Sequence, residues 1–216
     1  MQQIIPIKSK YGNYTASKFL YNYEQIDYHN LSTIYRIDNG LKHYIASTVK
    51  DYVALDIETT GLSPKSDEII NIGAIRYRND KPVDQLDILV KPQKSIPPFI
   101  TNLTGISNGM VKKAPYILEV MPYVIDFVGH DIILGHNVRF DINFLNFAME
   151  KNGFNSFFNT YIDTMWMARR FRKNNTLERL VKDYVNPYYI EAHRGLDDAK
   201  NTALVFQKLR TIITKY

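Results

Sequence analysis

Three strand-type segments follow one another from residue 52, and helix-type and strand-type segments then alternate towards the end of the chain. The first segment, YVALDIE, is a short apolar run of the kind that forms a buried strand. The next two, IINIGAIRYR and QLDILVKP, alternate and are rich in β-branched residues. Two further short strands are predicted at DIILGHN and TYIDT. This order predicts an α/β fold in which helices flank a mixed sheet.

Four segments with helical spacing accompany these strands: APYILEVMPYVIDFVG, FDINFLNFAMEKNG, TLERLVKDY and LDDAKNTALVFQKLRTII. Pro115 is acceptable in the first turn of the first helix, whereas Pro122 is expected to bend or split it. Gly153 is expected to end the second helix. The turn between the second and third strands is predicted at DKPVD, around Lys81 and Pro82, and KSIPPFITNLTGIS is predicted as a proline-containing connector.

Composition limits the chemistry that the chain can carry. It has no cysteine, which excludes disulfides and thiolate metal sites and leaves oxygen or imidazole ligands for any metal. Clustered carboxylates would favour Mg²⁺ or Mn²⁺. No apolar run approaches the ~20 residues that span a bilayer, and MQQIIPIKSKYG lacks the apolar core of a signal peptide. We therefore expect a cytoplasmic protein without a membrane partner, and the formal charge of +5 suits a polyanionic partner.

The first 50 residues differ from the rest in composition. Seven of the sixteen tyrosines lie there, interleaved with polar and basic residues. Such tyrosines either stack on nucleic-acid bases or pack a short helical or hairpin extension against the main domain. We therefore divide the 216 residues into an N-terminal extension, 1–50, whose role stays open, and a domain, 51–216.

Asp56 and Glu58, in LDIETTGL, lie two residues apart on the first predicted strand. Their side chains therefore point to one face of the sheet, while Leu55 and Ile57 point to the other. Adjacent carboxylates repel each other unless a cation lies between them or one is protonated. The pair is thus either a divalent-cation site or a hydrated strand end, and the following Gly61 favours a site because it permits close approach to the backbone.

Further acids and histidines stand near two predicted helix starts. In GHNVRFDINFL, Asp141 either caps the helix or joins a site, and His136 and Asn137 are either turn residues or substrate contacts. In HRGLDDAKNT, His193 precedes a helix whose first turn holds one of two adjacent acids. A histidine on such a loop can approach a water molecule as a base and then leave.

The motifs DIETTGL, HNVRFDINFL and HRGLDDAKNT occur together in the order of a known family. Over roughly residues 52–210 the chain resembles the DEDDh branch of the DnaQ-like 3′–5′ exonucleases. That family includes replicative proofreading subunits and the proofreading domain of Gram-positive replicative polymerases. LTGIS also resembles the family's segment after the third strand. The resemblance implies a ribonuclease H-like fold and a metal-dependent nuclease.

The resemblance assigns roles to individual residues. It implies four metal-binding acids: Asp56, Glu58, Asp141 and Asp198. The family's last acid stands five residues after its histidine, which selects Asp198 over Asp197 and makes His193 the general base. Two Mg²⁺ or Mn²⁺ ions are expected, with Asp56 bridging both.

The resemblance also implies contacts with the 3′-terminal nucleotide. The expected substrate-binding residues are Thr59, Thr60, Gly61, Leu62, Leu103, Thr104, Ile106, His136 and Asn137. Leu62 is expected to wedge against a base, whereas some family members have a histidine in place of Thr104. Asp163 is expected to cap the following helix rather than bind metal. The basic stretch ARRFRKNN either contacts phosphates or forms a solvated helix end.

The implied function is hydrolysis of phosphodiester bonds from a single-stranded or frayed 3′ end of DNA, in proofreading or repair. An exoribonuclease of the same superfamily needs the same catalytic residues, so RNA stays an alternative substrate. An inactive nucleic-acid-binding or polymerase-docking subunit is a third alternative, which the complete set of five catalytic residues opposes. A DNA polymerase partner and the oligomeric state stay open.

Overall fold

In a computed structural model of the chain, the described residues are 6–9, 12–15, 49–169, 172–189 and 193–213. Contacts divide the chain into two compact units, one of residues 50–209 and one of residues 1–49 with residues 210–216. In the second unit, strands β1 (Pro6–Ser9) and β2 (Gly12–Thr15) pair antiparallel. The predicted role of the tyrosines in residues 1–50 lies outside the described side chains, and the domain division at residue 50 stays a prediction.

Five strands form the sheet of the unit made of residues 50–209, in the order β5-β4-β3-β6-β7. They are β3 (Tyr52–Thr59), β4 (Ile69–Arg78), β5 (Lys81–Leu89), β6 (Ile133–Gly135) and β7 (Tyr161–Asp163). Strands β3, β4 and β5 pair antiparallel, whereas β6 and β7 are added in parallel on the other side of β3. The predicted mixed sheet is confirmed, and β3 is its central strand.

Helices flank this sheet, as predicted. Within the described residues they are α1 (Pro98–Thr104), α2 (Asn108–Val111), α3 (Ile117–Val128), α4 (Arg139–Lys151), α5 (Thr164–Ala168), α6 (Leu177–Tyr184) and α7 (Gly195–Ile213). The four predicted helices correspond to α3, α4, α6 and α7. Among the helices of the described part, none is both long enough and apolar enough to cross a membrane.

The main hydrophobic core joins the sheet to helices α3 and α4. Leu55 and Ile57 of β3 lie in this buried cluster with Val124 of α3 and Leu145 of α4. Because side chains alternate along a strand, the acids that flank Ile57 point to the opposite face of the sheet. Burial of the apolar face of β3 therefore determines which side of the sheet carries the carboxylates.

The predicted turn between the second and third strands, around Lys81 and Pro82, is wrong because the observed turn lies two residues earlier. Asn79 and Asp80 have positive φ values of 51° and 63°, which is the conformation of a two-residue hairpin turn, so Lys81 and Pro82 begin β5 instead. Pro82 is tolerated there because β5 is an edge strand, where a missing N–H need not break the sheet.

Prolines also affected two predictions about helices: α1 was not predicted, and the start of α3 was placed too early. The segment predicted as a connector contains α1, which begins at Pro98. At the first position of a helix the N–H has no intrahelical acceptor, so proline loses no hydrogen bond there. Helix α3 begins at Ile117, so Pro115 precedes the helix, and Pro122 lies inside it without splitting it. Gly153 follows the end of α4 with a φ of 78°, which confirms its predicted stop.

Candidate active site

Three carboxylates from β3 and α7 converge on one side of the sheet. One carboxylate oxygen from each of Asp56, Glu58 and Asp198 lies within 4.8 Å of the others. Asp198 is only 6% exposed. Asp197, its neighbour in the first turn of α7, is exposed. Successive residues of a helix point about 100° apart, so only one of this pair can face the cluster.

Asp141, the fourth predicted acid, is buried in the first turn of α4 and is 3% exposed. Its Oδ1 accepts a hydrogen bond of 3.0 Å from the backbone N–H of Ile57, the residue between Asp56 and Glu58. Its charge is near enough to raise the pKa of Asp56. The structure therefore brings the four predicted acids into one neighbourhood.

Burial and mutual repulsion disfavour the charged forms of these acids. Burial, followed by the charges of Asp141, Asp198 and Glu58, raises the pKa of Asp56 well above its ordinary value. Burial and the charges of Asp198 and Asp141 raise the pKa of Glu58 to about 8. A divalent cation bound between these carboxylates would offset their mutual repulsion. A donor set made only of carboxylate oxygens suits Mg²⁺ or Mn²⁺.

Two glycines allow the start of α7 to lie directly on the sheet. Gly73 of β4 pairs with Asp56 of β3. A Cβ at Gly73 would lie 2.1 Å from the backbone nitrogen of Leu196. A Cβ at Gly195 would lie 3.1 Å from the backbone oxygen of Asp56. This close approach places Asp198 beside β3. A close contact was predicted at neither glycine, although an isolated glycine within a strand is a signal of close backbone approach.

His193 lies two residues before α7, on the same segment that contacts the sheet. It is half-buried and has a φ of 39°, a left-handed conformation that a residue with a side chain rarely adopts. Strained backbone of this kind is often found at functional sites. Its role as a general base stays a prediction.

The loop after β3 carries the first group of predicted substrate contacts. The hydroxyl of Thr59 donates to the backbone oxygen of Gly61 at 2.6 Å, and the hydroxyl of Thr60 accepts from the N–H of Glu68 at 2.9 Å. These bonds hold the loop while the side chain of Leu62 stays 85% exposed. Contact of Leu62 with a base stays a prediction.

Helix α1 and the residues after it carry the second group. Leu103 is 50% exposed, whereas Thr104 and Ile106 are buried. The hydroxyl of Thr104 donates to the backbone oxygen of Ile100 at 2.9 Å and accepts from the N–H of Ile106 at 3.1 Å. The structure therefore leaves Leu103 accessible and uses the side chains of Thr104 and Ile106 within the fold.

The third group lies at the ends of β6 and β7. The Nδ1 of His136 is 2.9 Å from the hydroxyl of Thr164, and burial lowers the pKa of His136 to about 4. Asn137 is exposed, and its N–H donates to Oδ1 of Asp163 at 3.0 Å. The same oxygen accepts from two N–H groups of α5, which confirms Asp163 as the cap of that helix.

The basic stretch after α5 is described in part, because residues 170 and 171 lie outside the described residues. Arg172 forms an ion pair of 2.9 Å with Asp183 of α6 and a hydrogen bond with Tyr184. Its guanidinium is therefore held against α6. Contact of this stretch with phosphates stays a prediction.

Comparison with known proteins identifies the family to which the chain belongs. Residues 53–206 match the RNase_T family of exonucleases. The PolC-type DNA polymerase III of Caldanaerobacter subterraneus is 39% identical over 182 residues, which cover 81% of this chain and 13% of that protein. The corresponding polymerase of Clostridium perfringens is 34% identical over 189 residues, 82% of this chain and 13% of that protein. The chain thus spans about 13% of the length of these relatives.

Solved structures share the fold. Exonuclease X in complex with 5′-overhanging duplex DNA has a TM-score of 0.58 at 24% identity, over 74% of this chain and 92% of that one. E. coli exonuclease I in complex with a dA16 oligonucleotide has a TM-score of 0.65 at 20% identity, over 75% of this chain and 41% of that one. The predicted ribonuclease H-like fold is confirmed. Because the family match extends over most of the chain and relatives exceed 30% identity, the chain belongs to the exonuclease family, as its DnaQ-like motifs predicted.

Proposed function

We propose that the chain is a 3′–5′ exonuclease that hydrolyses DNA with two divalent cations and a histidine general base. The observation that carries this proposal is the convergence of Asp56, Glu58 and Asp198, whose carboxylate oxygens lie within 4.8 Å of one another. Acids whose pKa values are raised by burial and mutual repulsion gain strongly from a bound cation. The arrangement of these acids therefore favours binding of a divalent cation.

The acids and His193 have different roles in such a reaction. Asp56, Glu58 and Asp198 would hold one cation, and Asp56 with Asp141 would support a second. Two divalent cations supply charge compensation for the phosphate and the leaving oxygen and help to activate water. His193 accepts the proton of the attacking water, since an imidazole can take up and release a proton near neutral pH.

The substrate assignment rests on the loop after β3, on α1 and on the relatives. Leu62 and Leu103 expose apolar side chains that suit the face of a terminal base. The relatives are PolC-type DNA polymerases, and two solved structures of similar fold, exonuclease X and exonuclease I, are complexes with DNA. A DNA polymerase is therefore the proposed partner. The proposal also implies a location in the compartment that holds the DNA, which in bacteria such as these relatives is the cytoplasm.

A nuclease assay on single strands tests the proposal. Matched 5′-labelled DNA and RNA oligomers are incubated with Mg²⁺ or Mn²⁺, with EDTA as the metal-free control. We expect DNA to shorten progressively from its 3′ end, while circular single-stranded DNA, which has no end, stays intact. Cleavage of the circle would contradict exonuclease action. Faster loss of the RNA would make the chain an exoribonuclease, and binding without cleavage would make it an inactive subunit.

A further inference from the structure

A tyrosine outside the predicted site contacts one of its acids. The hydroxyl of Tyr189 donates a hydrogen bond of 3.2 Å to Oδ1 of Asp198. Asp198 is 6% exposed and belongs to the carboxylate cluster with Asp56 and Glu58. A hydroxyl that donates to a carboxylate makes a charge-assisted hydrogen bond, which is stronger than one between neutral groups.

Tyr189 is itself held in place by the turn that follows α6. The N–H of Tyr189 donates to the backbone oxygen of Asn186 at 3.1 Å. The N–H of Asn186 donates in turn to the backbone oxygen of Val181 at 2.8 Å. Val181 is 1% exposed and belongs to the buried side of α6. The phenol ring therefore projects from a segment that is anchored in the interior of the fold.

We infer that Tyr189 is a positioning residue that orients the Asp198 carboxylate for cation binding; the inference rests on the proposed metal site. A carboxylate can rotate about its terminal torsion, and a donor fixed to one of its oxygens restricts that rotation. Removing a group that hydrogen-bonds to a metal ligand typically weakens metal binding by 10–100-fold. Tyr189 thus links the turn after α6 to the metal affinity of a residue at the start of α7.

The chain offers a matched control in the adjacent Tyr188. Tyr188 lies in the same turn as Tyr189, but its side chain is 88% exposed to solvent. Tyr189→Phe and Tyr188→Phe each remove one hydroxyl and keep the ring. The dissociation constant for Mn²⁺ is measured by titration calorimetry on DNA-free protein. We expect an increase of about 10-fold for Tyr189→Phe and no change for Tyr188→Phe.

The nuclease assay separates positioning from substrate binding. For Tyr189→Phe we expect a lower kcat at limiting Mn²⁺, recovery at saturating Mn²⁺ and an unchanged KM for single-stranded DNA. An unchanged Mn²⁺ dissociation constant, or an equal change in Tyr188→Phe, would overturn the inference.

A double-mutant cycle shows whether the effect passes through Asp198. In an Asp198→Asn background, the ligand charge is already lost, so adding Tyr189→Phe should change the Mn²⁺ dissociation constant less than it does in the wild-type protein. An undiminished effect would place the action of Tyr189 elsewhere and overturn the inference. If the protein binds Mn²⁺ but cleaves neither DNA nor RNA, the proposed function fails, while the calorimetric comparison still decides the role of Tyr189.

Discussion

The backbone N–H of Ile57 donates a hydrogen bond of 3.0 Å to Oδ1 of Asp141, although the two residues lie 84 positions apart in the chain. Ile57 stands between Asp56 and Glu58 in β3, so this bond fixes a buried carboxylate of α4 beside the strand that carries two of the other three acids. Asp141 is therefore both an acceptor for the central strand and a charge in the proposed metal site.

Two substitutions separate these roles of Asp141. Asp141→Asn keeps an oxygen that can accept from Ile57 and removes a charge that raises the pKa of Asp56. Without metal, we expect it to be at least as stable as the wild type. Asp141→Ala leaves a buried N–H unpaired and should be about 1–3 kcal/mol less stable than Asp141→Asn. Urea unfolding in EDTA measures both, and equal stability of the two variants would contradict the acceptor role.

The pair Asp197 and Asp198 tests which acid serves the site. Asp198 is buried in the carboxylate cluster, so Asp198→Asn should reduce the hydrolysis rate by orders of magnitude. Asp197 is exposed near the start of α7, where a negative charge contributes about 0.3–1 kcal/mol to stability. Asp197→Asn should therefore cost a little stability and spare activity, measured on single-stranded DNA with Mg²⁺. Loss of activity in Asp197→Asn alone would show that the wrong acid has been assigned.

Glu58 makes the stability of the metal-free protein depend on pH. Its pKa is about 8 in the folded state against an ordinary value of 4.5. Between these values the folded protein holds a proton that the unfolded chain has released, so raising the pH favours unfolding. One such proton corresponds to at most about 1.4 kcal/mol per pH unit.

Urea unfolding in EDTA at pH 6 and pH 8 should therefore show lower stability at the higher pH, and Glu58→Gln should reduce the difference. Mn²⁺ affinity should rise over the same interval, because the cation replaces bound protons. A wild-type stability that rises from pH 6 to pH 8 would argue against a protonated Glu58.

Gly73→Ala should displace the start of α7. The added Cβ would lie 2.1 Å from the backbone nitrogen of Leu196, and backbone cannot move aside as a flexible side chain can. We expect a loss of about 1–3 kcal/mol in unfolding free energy, together with weaker Mn²⁺ binding. Gly109→Ala in α2 is the control, since its nearest neighbour is the hydroxyl of Ser107 at 3.6 Å. Equal stability of the two alanine variants would refute the close approach.

His193→Ala separates the proposed base from the proposed ligands. It should lose turnover by about 10²–10⁴-fold and still bind Mn²⁺ and single-stranded DNA. Asp56→Ala should lose turnover together with Mn²⁺ affinity. Calorimetry and single-turnover cleavage, run on both variants, give the comparison. If both variants lose the same Mn²⁺ affinity, His193 acts as a ligand and not as a base.

Local periodicity was sufficient to orient the first two acids. Leu55 and Ile57 enter the core, so the alternation of the strand sends Asp56 and Glu58 to the other face. Resemblance to the family, whose last acid stands five residues after its histidine, selected Asp198, the member of its pair that the structure places in the cluster. The orientation of Asp56 and Glu58 depends on neighbours within a few residues, which is the range that local patterns report, whereas the choice of Asp198 needed the family pattern.

The errors and omissions have two physical causes. Pro82 suggested a turn, but positive φ at Asn79 and Asp80 makes the reversal and an edge strand accommodates the proline. The contacts of Gly73 with the start of α7, and of Tyr189 with Asp198, join segments that meet only in the folded chain. No local pattern states which helix will lie against a strand glycine.

The contact between Gly73 and the start of α7 also determines when the proposed metal site can be complete during synthesis of the chain. A ribosome releases β3, with Asp56 and Glu58, long before it releases α7, and domains fold as units once their elements have emerged. A nascent chain that ends before α7 carries the acids of β3 and α4 without Asp198. The proposed metal site can therefore form in full only after α7 has docked on the sheet.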